Sequence, residues 1–426
     1  MNSWLTRTTA TMAIALVSAC GGPVQTPGSG GVVTPTPTPA PTPTPVPTPT
    51  PTPPVVGVTT QVVATFVAPW AMAFLPDGKM LVTERPLTPA TLLNPIEPGR
   101  LHLVTAAGQV SDPIAGLAAN VGLLDVKLDP QFSGNHLIYI SFMERDPSAP
   151  RVGRYAGDPA VDPAGLAVMR GTLTIDGAGN AQVTGVSVIW RQTPKIVSNP
   201  GSGEPGGRLV FSPDGRYLFV TAGDRQELEP TLIQPLSTTI GKIIRIFPDG
   251  SIPTDNPYYG QAGALPEIWT SGHRNPYGLA FNSIGELWEN EMGPKGGDEL
   301  NLIQRGNNYG WPNVSYGDNY DGSPIPKPAP GDGYATSAYW WIPVIAPSGM
   351  IFYSGTMFAD WRGDAILSGL QSHGLVRVRF SGGTANEVQR VDLGNRIRFL
   401  AQASDGAIWV LEDAPTGRLL RLTPTF

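Results

Sequence analysis

Between Gly272 and Pro312 the chain reads GHRNPYGLAFNSIGELWENEMGPKGGDELNLIQRGNNYGWP, a crowd of polar groups set around short apolar runs. A core needs apolar faces and turn residues, so polar side chains gathered like this are held to meet a ligand or a metal. Arg274 and Asn275 place a guanidinium beside a carboxamide, a pair able to fork onto a carboxylate or a quinone oxygen, and Pro276 biases Asn275 toward extended backbone. Asp298 and Glu299 follow Gly296-Gly297 on a strand-like segment; adjacent strand residues face opposite ways, so the two carboxylates serve different sites. With carbonyls freed by the Gly306–Gly310 loop, Glu299 offers the hard oxygens that suit calcium, the plainer alternative being surface charge near a turn. Arg396 and Arg398 alternate at strand spacing and aim at one space, where an anionic ligand or an acidic side chain must join them.

The bulk numbers exclude several classes. Charged residues make up 15% of the 426, the net charge is −6, and no cluster of five or more Lys and Arg occurs, so nothing favours a nucleic-acid partner. The 41% hydrophobic content can fill a sizeable core. His102, His136, His273 and His373 show no metal-type spacing, and His102 and His136 read as strand residues. Fingerprints of serine hydrolases, zinc proteases, P-loops and dinucleotide sites are missing from the sequence.

Elements that could position the polar groups lie in the larger, later part of the chain. Residues 1–19 read as a signal peptide, and Val17-Ser18-Ala19-Cys20 looks like a bacterial lipoprotein cleavage box, which implies a lipid on Cys20 and export to the cell envelope, periplasm or outer membrane; an ordinary signal peptide with an incidental cysteine is the alternative. Within 20–55 the Pro/Thr alternation cannot pack a core and reads as a disordered, semi-rigid spacer. From 56 to 426 short β-branched or apolar runs recur around turns of the Pro-Asp-Gly type, at Ala71–Glu84, Leu123–Phe142, Arg208–Gly223, Tyr277–Glu291, Gly349–Leu370 and Arg398–Asp413. A hairpin cannot bury its face alone, and radial repetition of four-stranded sheets leaves few open edges. The expected fold is all-β, a six-bladed propeller, with a β-sandwich pair or a seven- or eight-bladed ring as alternatives. Uneven spacing predicts long loops between Glu144 and Val197 and between Asp318 and Pro347, over the central channel.

GGRLVFSPDGRYLFVTAGD, GKIIRIFPDGSIPTDNP, IWTSGHRNPYGLAF, MGPKGGDELNLIQRGNNYGWP, IAPSGM and NRIRFLAQASDGAIWVLED, in this order, resemble the soluble quinoprotein sugar dehydrogenases, the glucose/sorbosone dehydrogenase family. The resemblance implies a six-bladed propeller that binds pyrroloquinoline quinone and calcium, oxidises an aldose or related polyol, and passes electrons to an external acceptor. Carried over by position, Arg274 and Asn275 would contact the quinone and Arg396 and Arg398 would hold its carboxylates. The carbonyls of Gly293 and Pro294 would ligate one calcium, Glu299 and the carbonyl of Tyr309 a second, and Asp298 would face the cofactor.

Four positions depart from the family pattern. Glu204, in GEPGGRL, stands where the family carries the histidine that takes the sugar's proton; a glutamate in a partly desolvated cavity can serve as a base, with Pro205 keeping its backbone extended. Asn120 replaces a Gln, Met292 a Gln or His, and Gln371 a Lys among the cofactor contacts, and losing that lysine removes a charge-assisted hydrogen bond of about 1.5–3 kcal/mol. His373 lies close enough in sequence to compensate in part. Two functions follow: a membrane-tethered sugar-oxidising quinoprotein with Glu204 as base, or a catalytically impaired calcium-binding propeller lipoprotein that binds carbohydrate or acts as a scaffold.

Overall fold

The structure is a computed structural model that describes residues 55–85, 99–117, 122–151, 160, 162–197, 203–226 and 230–426. Asn120, Cys20, the signal peptide and nearly all of the Pro/Thr-rich linker lie outside the described residues.

Six antiparallel sheets form the blades. Blade one comprises Pro69–Phe74, Met80–Glu84 and Arg100–Val104; blade two comprises Gly122–Leu128, Leu137–Arg145, Ala164–Ile175 and Ala181–Arg191. Gly206–Phe211, Leu218–Ala222, Lys242–Ile246 and Ile268–Ser271 make blade three, and Pro276–Phe281, Leu287–Glu291, Asp298–Leu302 and Tyr339–Trp341 make blade four. Blade five holds Pro347–Phe352, Ala365–Gly369, Gly374–Ser381 and Thr384–Asp392. Blade six takes Ile397–Gln402, Ile408–Glu412 and Thr416–Thr425 from the end of the chain and Gly57–Val67 from far upstream. The first strand of each blade packs on the first strand of the next, and blade six packs back on blade one, so the six inner strands close a ring.

Each repeat seen in the sequence is the inner hairpin of one blade, as the six-bladed expectation requires. In blade one Asp77 accepts from Lys79 N while Gly78 takes φ +82°; Asp214 with Gly215 and Asp405 with Gly406 do the same in blades three and six. The second strands Met80–Glu84, Leu218–Ala222, Leu287–Glu291, Ala365–Gly369 and Ile408–Glu412 are buried at every residue because a sheet lies on either side of them.

Two local expectations change. The stretch from Glu144 to Val197 holds the two long outer strands of blade two, 12 and 11 residues, rather than a roof loop; β-branched residues alternating along QVTGVSVIW favour a half-buried strand. His136 caps the helical turn Phe132–Asn135 with φ +55° instead of lying in a strand, whereas His102 is a strand residue as expected. The stretch from Asp318 to Pro347 does carry long loops, broken only by Tyr339–Trp341.

Ring closure rests on Gly57–Val67 pairing with Thr416–Thr425, with a bulge between Val62 and Ala64. Phe66 on that strand is buried, whereas Val62 is 53% exposed. Phe66→Ala is expected to cost about 3–5 kcal/mol in urea unfolding, and Val62→Ala less than about 0.5 kcal/mol. Equal effects would mean that the strand does not seal the ring.

Candidate active site

The inner strands begin at one mouth of the channel, where a cavity of about 170 Å³ is lined by Trp70, Glu204, Asn275, Tyr277, Met292 and Arg398, among others. Arg396 and Arg398, aimed at one space as their spacing predicts, both bond Asp413: Arg396 Nη2 at 2.8 Å from Oδ2 and Arg398 Nη2 at 2.8 Å from Oδ1. Arg85 from blade one binds the same carboxylate. The acidic partner left open by the sequence therefore exists, yet three guanidiniums share one carboxylate and the cluster keeps a net positive charge. Burial alone would raise Asp413, but Arg398 and Arg85 outweigh it and hold its carboxyl well below the usual range. Arg398 lies over the Tyr277 ring at 5.3 Å, and its buried Nη1 makes no well-formed hydrogen bond. This donor set suits an anionic ligand.

Arg274 is buried beside this mouth. Its Nη1 stands 3.0 Å from Glu204 Oε1 and donates to the carbonyls of Met292 at 3.1 Å and Gly293 at 2.9 Å; Nη2 meets Tyr320 Oη at 3.2 Å. Asn275 Nδ2 reaches the Met292 sulfur at 3.4 Å. Arg274, Asn275, Met292, Gly293 and Glu204 are thus assembled around one guanidinium. Gly293 has to be glycine, since a Cβ there would meet the carbonyls of Gly296 and Gly297 at 2.3 and 2.4 Å. Arg274 and Pro294 also face a second, larger cavity of about 630 Å³ bounded by Trp311 and the Asn319–Pro326 loop.

The backbone around Glu204 differs from expectation. Glu204 has φ +23°, in the left-handed region, despite Pro205 behind it. The loop turns back on blade three, where Gly223 N donates to Pro205 O at 3.0 Å and a Cβ on Gly223 would sit 2.1 Å from Glu204 O. That turn brings Glu204 to Arg274. Asp224, the next residue, is buried; its Oδ2 accepts from Trp311 Nε1 at 2.9 Å. Burial raises its pKa, with the charge of Arg274 opposing.

Asp298 and Glu299 separate as alternation requires. Asp298 accepts from Gly293 N at 2.9 Å and from Ile345 N and Ala346 N at 2.7 Å each, so it acts on the mouth by fixing the Gly293 backbone and does not line the cavity. Burial pushes it up to about 6 against these hydrogen bonds. Glu299 turns to the other face, where Asn301 Nδ2 lies 3.3 Å from Glu299 Oε2, 3.2 Å from Glu289 Oε2 and 3.3 Å from Glu291 Oε1. One NH₂ group has two protons for three carboxylates. His273 Nδ1 lies 3.2 Å from Glu291, Tyr309 stacks on His273 at 4.8 Å, and among the described residues no Arg or Lys pairs with any of the three glutamates. Burial and the neighbouring Glu291 push Glu299 up to about 8; burial and the same neighbour also raise Glu289. Like charges buried together this closely call for protons or a cation, and oxygen donors of this kind suit calcium.

Of the expected residues, Gln371 is the one the fold leaves aside: its side chain is exposed and does not line the mouth, although Leu370 before it does. His373, in the same turn, is exposed at φ +54°. The sequence reading missed Arg85, Asp413, Asp224, Glu289, Glu291 and Asn301. For the glutamates a signal existed, since Glu289 and Glu291, like Glu299 and Asn301, are two apart on neighbouring strands and so share a face. Arg85 and Asp413 come from opposite ends of the chain and carry no local signal.

Comparison with known proteins agrees with this architecture. A family model described as Glucose / Sorbosone dehydrogenase matches residues 66–421. Aldose sugar dehydrogenase YliI of Escherichia coli (strain K12) is 36% identical over 368 residues, covering 84% of this chain and 90% of that protein. Quinoprotein glucose dehydrogenase B of Acinetobacter calcoaceticus is 31% identical over 273 residues, 58% of this chain and 50% of that one. The crystal structure of the soluble aldose sugar dehydrogenase from Escherichia coli in the apo-form superposes with a TM-score of 0.74 at 34% identity, covering 86% of this chain and all of that one. Fold and similarity together define a propeller oxidoreductase of the sugar dehydrogenase class. The chain belongs to the glucose/sorbosone dehydrogenase family.

Asp413 gives the site a pH signature. Its folded pKa is depressed, so its contribution is whole above the unfolded carboxylate value, about 3.9, and is lost as pH falls toward the folded value. Asp413→Asn is expected to cost on the order of 3 kcal/mol at pH 7, because three guanidiniums lose their counter-charge. Urea midpoints at pH 7 and pH 3 should show a smaller difference for the variant than for the parent; an unchanged difference would remove Asp413 from the acid response.

Proposed function

We propose that this protein is a quinoprotein that oxidises the C1 hydroxyl of an aldose or a related polyol and passes the electrons to an external acceptor. The observation that carries the reading is the convergence of Arg85, Arg396 and Arg398 on a single carboxylate at the channel mouth, with the Arg274–Glu204 pair beside it. Pyrroloquinoline quinone is a polycarboxylate, and surplus guanidinium charge with the unbonded Arg398 Nη1 fits its anionic groups. The mouth cavity, about 170 Å³, is below the usual 300–1,000 Å³ of small-molecule sites; the charge pattern rather than the volume supports the fit. Arg396 and Arg398 would hold the carboxylates, with Arg274 and Asn275 at the ring system. When bound, the quinone would supply the two-electron acceptor.

Glu204 would take the hydroxyl proton. Arg274 orients its carboxylate at 3.0 Å, and the side chain, 13% exposed, lines the mouth cavity while Arg274 borders the larger one, so a sugar hydroxyl reaching the mouth would meet the carboxylate. Tyr320 and Trp311 flank the Arg274 guanidinium and would bound the sugar's position. Calcium would be held by Glu299 with Glu289, Glu291 and Asn301, near Tyr309, where the crowded carboxylates supply hard oxygens. A second calcium would rest on the carbonyls of Gly293 and Pro294, where Arg274 Nη1 already engages the Gly293 oxygen. That competition, with Met292 sulfur facing Asn275, favours the second reading, a binding propeller that has lost turnover. Cys20, placed directly after an apolar run, supports export and attachment to the cell envelope by lipid alone.

Purified protein given calcium and pyrroloquinoline quinone should reduce a redox dye when an aldose is added. Glu204→Gln should lower that rate by about 10²–10⁴-fold while quinone affinity stays within about threefold. Tight quinone binding without turnover in the parent would select the binding propeller, and no quinone binding would remove the quinoprotein reading.

Calcium added to chelator-treated protein should raise the melting temperature, by linkage up to about 2.7 kcal/mol at a hundredfold excess over Kd. In Glu299→Gln most of that shift should vanish. A full shift in the variant would detach calcium from the glutamate cluster.

A further inference from the structure

The channel has a second mouth, where the inner strands end. A chamber of about 490 Å³ opens there, within the size range of small-molecule sites, and every inner strand contributes to its wall. Phe74, Phe352 and Phe399 give it an aromatic lining. Its charged lining residues are both cations, Lys127 and Arg208.

Among the described residues the wall supplies one acid, Asp125, for these two cations. Lys127 Nζ has Asp125 Oδ2 at 4.0 Å, donates no hydrogen bond among the described residues, and lies 5.4 Å from the centre of the Phe399 ring. Arg208 Nε donates to Tyr277 O at 2.7 Å and Nη1 is 3.4 Å from Asp125 Oδ1, but Nη1 and Nη2 make no hydrogen bond although they are buried. Asp125, the one acid serving both, is fully buried and already accepts from Val126 N at 3.0 Å and Leu209 N at 2.9 Å. Arg208 lies between the Trp70 and Phe399 rings, 4.2 and 4.8 Å from their centres, and so forms the floor of the chamber; Trp70 lines the cavity on the other side. Lys127 keeps 30% of its side chain exposed and is the accessible donor.

We propose that this second chamber is a binding site for a small aromatic carboxylate. The anionic group pairs with the three N–H donors of Lys127, the buried Arg208 supplies a second positive charge from beneath, and the ring system packs against Phe74, Phe352 and Phe399. A partly exposed ammonium beside an aromatic wall gains from an anion, whereas a neutral ring gains only the apolar contact. The site is separate from the sugar-oxidising mouth and does not depend on the quinone reading.

Titration calorimetry with 2-naphthoate and its uncharged analogue 2-naphthalenemethanol tests it on the full chain, without quinone. Naphthoate should bind at least tenfold more tightly than the alcohol, and Lys127→Met should remove that preference while Lys127→Arg restores it. Arg396→Ala, at the opposite mouth, should leave naphthoate affinity unchanged. The proposal is overturned if naphthoate does not bind at millimolar concentration, if acid and alcohol bind alike, if Lys127→Met with an unchanged melting temperature binds naphthoate as the parent does, or if Arg396→Ala abolishes binding.

Discussion

One pairing holds the molecule in its circular form: Gly57–Val67 against Thr416–Thr425. Each blade packs only on its neighbours, so a ring open at one point would leave two sheet faces and a strand edge in water. With that seam closed, the inner strands are fixed in direction and all start at the same mouth. Side chains far apart in sequence, Arg85, Glu204, Arg274 and Arg398, then meet within one small space. The chemistry of the mouth is a product of closure rather than of any local motif.

Local turn chemistry made the blades readable. Asp followed by Gly closes the inner hairpins of blades one, three and six, and six hairpins at this spacing, separated by polar stretches, admit few folds other than a ring. Within the site, strand alternation was enough to send Asp298 and Glu299 to different places and to aim Arg396 and Arg398 together. What alternation cannot supply is the partner from another blade. Asp413 reaching Arg85, or Trp311 reaching Asp224, depends on how sheets are stacked around the axis, which has no period in the sequence. The left-handed turn at Glu204 was illegible for another reason: the local preference before a proline is extended, and contact with Gly223 and Arg225 overrides it.

The two faces of blade four show how one strand pair can support unlike chemistry. On one face Asp298 is satisfied by three backbone amides and serves as a rigid anchor. On the other, Glu289, Glu291 and Glu299 crowd together around Asn301, with the Ser337 hydroxyl on Glu299 and the Arg274 amide and His273 on Glu291 but no Arg or Lys side chain among the described residues to offset their charge. The first arrangement is satisfied by backbone donors; the second concentrates like charge. Burial and mutual repulsion raise Glu299 and Glu289, so this face responds to pH in a way that the apolar core does not.

The seam also sets an order in time. Val67 leaves the ribosome 349 residues before Thr416, which at about 5–20 residues per second is roughly 17–70 s. Throughout that interval Gly57–Val67 has no pairing strand, and five blades can form while the sixth, whose outer strand is made first, waits for its three C-terminal strands. An unpaired strand edge of this kind is open to pairing with other chains for as long as it lasts. The ring therefore stays unsealed until synthesis is almost finished.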